Sequence, residues 1–193
     1  MFRRKYEFKP DRVGSGFFSK LYLTRRQRLQ LLKWVLYALV LVALSLVQDV
    51  ILSRVSFGGA TTDLVCMGML LLCLMLPTDD CAVFAVVCSV LFYFSGSAPG
   101  TYAIAYLTGL GIVFNVFRYA YLRKSFGSTF FCAAAALMCY ELLVFITGLL
   151  LQTTIGERFV YFCLTGAISV AVMPLLYPVF LSIGKIGGES WKE

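Results

Sequence analysis

Long apolar runs, broken by short polar links, set the pattern of this chain. One spans about residues 31–52, and three of similar length follow at 99–122, 129–152 and 159–183. Each reaches the ~20 residues that carry an α-helix across a hydrocarbon core of ~30 Å. Two shorter runs, 62–76 and 82–94, flank Pro77-Thr78-Asp79-Asp80. In lipid every backbone N–H and C=O must find a partner inside the structure, which leaves helices or a closed barrel. The runs exceed the ~10 residues of a barrel strand and lack its in–out alternation. The pattern predicts an all-α fold, a polytopic membrane bundle of about six transmembrane helices. The turn-rich S-G-S-A-P-G at 95–100 separates two of them. The short pair at 62–94 fits either two spans or one re-entrant hairpin, and its lengths favour two spans.

Composition agrees. Hydrophobic residues make up 60% of the 193 and charged residues 14%, with a mean hydropathy of +0.85. A soluble domain is nearer 45–50% apolar and about 25% charged. Charge then orients the chain. Residues 1–30 form a basic tail interrupted by Pro10 and Gly14-Ser15-Gly16. With six spans and an inner amino terminus, every Lys and Arg falls on the inner side except Arg54 and Arg158, as the positive-inside rule demands. The expected organisation is a basic cytoplasmic tail at 1–30, a helical bundle at 31–183 and a short cytoplasmic tail at 184–193. The first apolar run is too long, and its leader too extended, for a cleaved signal peptide. Arg25, Arg26, Arg28 and Lys33 fall where anionic headgroups lie, and each such charge is worth about 1 kcal/mol of attraction. They either set topology alone or also hold lipid or a partner. No nucleic-acid-reading module accompanies the basic run.

A few polar residues stand out because charge at depth is costly and tends to mark function. Glu141 falls near the middle of the fifth run. Asn115 and Arg118 on the fourth are its candidate partners, although both belong nearer the inner surface. Glu141 serves either an ion path, a ligand or a partner, or else a hydrogen bond that fixes packing. Gln48 and Asp49 close the first run near the outer surface, and Asp63 opens the second, where it suits a helix cap. Asp79 and Asp80 suit a solvated turn. Ala167 and Ala171, and likewise Cys132 and Ala136, stand four apart, a spacing that lets helices approach closely. Packing within the bundle is its simplest use.

Seven cysteines occur and no histidine. None of the cysteines forms C-x-x-C, and the pairs 66/73, 81/88 and 132/139 each share a helix face, which fits packing better than metal binding. Without histidine a Ser-His-Asp or Cys-His arrangement is excluded, and no phosphate-binding glycine loop is present. Asp63 and Glu141 are expected at different depths, too far apart to act as a pair. The sequence therefore predicts no catalytic, cofactor or metal residues.

Four stretches together resemble the MreD family, the rod-shape-determining integral membrane proteins of bacteria. The first run ends in a glutamine, S-L-V-Q-D-V-I-L. T-D-L at 62–64 is similar to the family's P-D-L. S-G-S-A-P-G-T-Y-A-I-A-Y-L-T-G-L at 95–110 is similar to its glycine-bounded turn into a span. M-P-L-L-Y-P-V-F at 173–180 is similar to the end of its last span. Thr62 replaces the family's proline, and Phe92 stands where an aspartate is frequent. The resemblance implies a non-enzymatic scaffold of the wall-elongation complex in the cytoplasmic membrane. Its implied partners are the bitopic protein MreC and other rod-complex proteins. The alternative is the substrate-binding subunit of an energy-coupling-factor vitamin transporter, also a six-helix protein. Against it, Ala38 and Ala43 are five apart in the first run, where that class has an A-x-x-x-A-like motif.

Overall fold

The computed structural model describes residues 25–52, 60–96, 98–122 and 125–186. Six α-helices account for nearly all of them: α1 Arg25–Val50, α2 Leu64–Met75, α3 Thr78–Phe94, α4 Tyr102–Tyr121, α5 Phe126–Leu150 and α6 Phe159–Gly184. A 3₁₀ turn at Gly156–Arg158 leads into α6. Four helical stretches, at Gln27–Val50, Tyr102–Tyr121, Phe126–Leu150 and Gly156–Gly184, are long and apolar enough to cross a membrane. The predicted helical bundle is thus observed. The first helix begins at Arg25, six residues before its apolar run, because Arg, Gln and Leu are good helix formers. Most of the basic tail lies outside the described residues.

The short second helix decides the architecture. All twelve residues of α2 are buried. The helices α3, α4, α5, α6 and α1 surround it in that order, each packed on the next and on α2. The ring stays open between α1 and α3. Seen along the axis, one end of the bundle carries the start of α1 and is called the tail end here; the other is the far end. An α2 of 12 residues is about 18 Å long, whereas α5 and α6, with 25 and 26, approach 38 Å. The central helix is therefore sunk within a taller wall, and a well is left above its N-terminus.

Both ends of α2 are closed by side chains from its neighbours. At its C-terminus Asn115 Nδ2 donates to Cys73 O and Leu76 O, and Arg118 donates to Leu74 O. These carbonyls belong to the last turn, which no helix can pair for itself. The cationic guanidinium also opposes the negative end of the helix dipole. Close packing depends on Gly111 of α4: a Cβ there would lie 3.2 Å from Cys73 Sγ and 3.5 Å from its Cβ. A hydroxyl pair, Ser89 and Thr108 at 2.6 Å, ties α3 to α4, and Tyr106 and Thr147 at 2.8 Å tie α4 to α5. Gly96, with φ 77°, turns the chain out of α3.

Candidate functional site

The well above α2 is a polar recess with a volume of about 760 Å³. Its floor is the N-terminus of α2. Asp63 caps that helix by accepting from the Cys66 N–H at 3.1 Å. The Val65 N–H donates to Gln48 Oε1 at 2.9 Å, and the Gln48 side chain also lies beside the Asp63 carboxyl. The Asp63 N–H donates to Ser169 Oγ at 2.8 Å. These contacts account for most of the orphan donors of the first turn.

Glu141 closes the other side of the floor. It stands about 13 Å along α5 from Leu150, and Ser169 about 15 Å along α6 from Phe159. Asp63 and Glu141 consequently reach the same depth and line the same recess, close enough to interact electrostatically. Their expected separation in depth is overturned because α2 begins deep inside the bundle instead of at its surface. The expected partners are overturned too. Asn115 and Arg118 cap α2 at the tail end, on the opposite side of the helix's length, and neither contributes to the recess that holds Glu141.

Glu141 is 6% exposed, yet among the described residues its carboxyl meets no hydrogen-bond donor and forms no ion pair. Thr62, 7% exposed, has an unpartnered Oγ1, and Tyr140, 2% exposed, lines the same space. Gly166 lets α6 approach α5 here; a Cβ on it would lie 2.7 Å from Met138 Sδ and 3.6 Å from Glu141 Cγ. Arg158, on the exposed 3₁₀ turn, stands at the mouth with Tyr161.

No protein-family model matches the chain, nor does any curated protein or solved structure.

The second recess is apolar. It follows the opening between α1 and α3, holds about 390 Å³, and is lined by Tyr37, Leu41, Val42, Met69, Leu91 and Phe92 among others. At the tail end it is closed by Trp34 against Phe84, ring centroids 6.0 Å apart. Few residues of α1 are buried, and Leu39, Val42 and Leu46 are all about 60% exposed.

The remaining candidates distribute as follows. Asp49 is exposed and accepts from Ser45 Oγ at 3.4 Å. Arg28 is exposed and Lys33 half-buried; Arg25 and Arg26 lie on the first turn of α1, but their side chains lie outside the described residues. Asp79 and Asp80 are exposed in the first turn of α3, where they complement its dipole. Cys132 and Ala136 are buried as the spacing predicts, but Ala167 and Ala171 face outward, so that pair does not serve packing within the bundle. Among the described residues no group of three or more Cys, Asp or Glu could hold a metal ion. Thr62, Tyr140 and Ser169 escaped the sequence reading as site residues. Only the adjacency of Thr62 to Asp63 and of Tyr140 to Glu141 could have signalled them.

Proposed function

We propose that this protein is a non-enzymatic scaffold of the bacterial cell-wall elongation complex. In this reading it spans the cytoplasmic membrane with both termini in the cytoplasm and maintains cell shape by docking MreC and wall-synthesis proteins, as MreD proteins do. The observation that carries the reading is the unfilled place in the ring. Six helices fit around a central one of equal diameter, and among the described residues five surround α2. The vacant position between α1 and α3 is apolar and suits a single helix from a bitopic partner. Lipid supplies little hydrophobic drive for such docking, so shape and close packing decide it. The basic residues near Arg28 and Lys33 add attraction to anionic lipid. Photo-crosslinking tests the proposal: probes replacing Val42 or Leu91 should capture MreC, and one replacing Leu142, exposed on α5, should not. Failure of the two proteins to co-purify from detergent at any stoichiometry refutes it.

A second reading, the substrate-binding subunit of a vitamin transporter, is favoured by the well. Its volume falls within the ~300–1,000 Å³ of small-molecule sites. Thermal stabilisation by a single vitamin would select this reading.

A further inference from the structure

The sinking of α2 leaves a recess with an unusual balance of groups. Two acids share its floor, Asp63 on α2 and Glu141 on α5. The donors of α2's first turn are turned toward Gln48 and the Asp63 side chain itself, so the helix end offers little to an anion. Two groups on lining residues have no partner among the described residues: the Glu141 carboxyl, on a residue 6% exposed, and Thr62 Oγ1, itself buried, on a residue 7% exposed. Buried polar groups are almost always hydrogen-bonded, and one left bare ordinarily has a ligand or water to meet. Tyr140 adds an aromatic ring, to which a cation is attracted. Arg158 is the single cation among the described lining residues, and it stands exposed at the mouth, forming no ion pair with either acid.

We propose that the well between α2, α5 and α6 binds a small organic cation, a primary amine or guanidine, whose charged nitrogen sits between Asp63 and Glu141. The nitrogen donates to Glu141 and to Thr62 Oγ1 and lies against the Tyr140 ring, and the body of the ligand extends toward Tyr161 and Phe162 near the mouth. A cation between the two acids relieves their mutual repulsion, which no group among the described residues of the floor does. A metal ion is the poorer occupant, since the described residues offer no third acidic or thiol ligand there. The site does not depend on whether the chain docks MreC; in the transporter reading it would be the ligand site of that same well.

Thermal unfolding of the full chain in detergent gives the test, with 1,5-diaminopentane, 2-phenylethylamine and agmatine as probes. Their neutral counterparts are 1,5-pentanediol and 2-phenylethanol; glutarate and Mg²⁺ complete the set. At least one amine or guanidine should raise the melting temperature saturably, and its neutral counterpart should not. Glu141→Gln should weaken that ligand at least tenfold, and Glu141→Asp should keep most of the affinity. Should Glu141→Gln fail to fold, the wild-type protein provides the second measurement. The amine should protect Glu141 from modification by dicyclohexylcarbodiimide, read by peptide mass spectrometry. The proposal is overturned if no cationic probe exceeds its neutral counterpart, if only glutarate or Mg²⁺ stabilises, or if neither substitution at Glu141 nor carbodiimide protection responds. Any of these outcomes leaves co-purification with MreC untouched, so the two proposals fail separately.

Discussion

Asn115→Leu isolates what closes the lower end of the central helix. The substitution keeps the branching and heavy-atom count of the side chain and replaces the amide by two methyl groups. Asn115 Nδ2 donates to Cys73 O and to Leu76 O, and both carbonyls belong to buried apolar residues. A typical hydrogen bond contributes a net ~0.5–1.5 kcal/mol, and a buried acceptor left bare costs ~1–3 kcal/mol. Measured interhelical bonds in membrane proteins are weaker, averaging ~0.6 kcal/mol, because the unfolded chain in detergent finds partners of its own. Two bonds on one amide therefore place the expected loss at about 2–4 kcal/mol, with ~1 kcal/mol as the floor. Buried thiols supply the assay. Cys66, Cys73, Cys81 and Cys132 are free and buried, so a thiol-reactive maleimide dye reports unfolding during a denaturant titration. The substitution Asp79→Asn, on an exposed residue, serves as the control and should change little. An Asn115→Leu protein within about 0.5 kcal/mol of wild type refutes the view that α4 caps α2.

Three further outcomes follow from the packing and the capping. Asp63→Ala removes the N-cap of α2 and should cost about 1 kcal/mol in the same titration, whereas Asp63→Asn should retain most of the stability because its oxygen still accepts from Cys66. Gly111→Val should destabilise by ~1–3 kcal/mol, since its added carbons meet Cys73 where neither helix can yield easily; near-wild-type melting contradicts that contact. A double-mutant cycle on Ser89→Ala and Thr108→Val should show a coupling of about 0.6–1.7 kcal/mol, and an additive pair contradicts the bond. Reporter tags on the two termini should both be inaccessible from outside intact cells, as an even number of spans requires; tags on opposite sides exclude it.

The helices were legible because lipid-scale apolar runs admit one backbone solution. Boundaries followed within a few residues, and the cap at Asp63 followed from its place before an apolar run. Faces were not legible. A helix apolar on all sides carries no moment that points it inward, so α5 and α6 gave no sign that Ala136 packs and Ala171 faces out. The same blindness hid the role of Asn115 and Arg118, whose partners are backbone carbonyls some 40 residues away and have no side-chain signature.

Sequence alone determined that this chain is helical, apolar beyond what a water-soluble domain contains, and charged chiefly toward one side of its predicted topology. Those properties depend on residue type and run length, which are local. Tertiary structure decided that the shortest α-helix is the central one, that five described helices surround it, and that Asp63 and Glu141 line one recess. Depth explains the difference: a residue's level in a bundle depends on how far its helix sinks between its neighbours, and that is fixed by packing among distant segments, not by position along the chain.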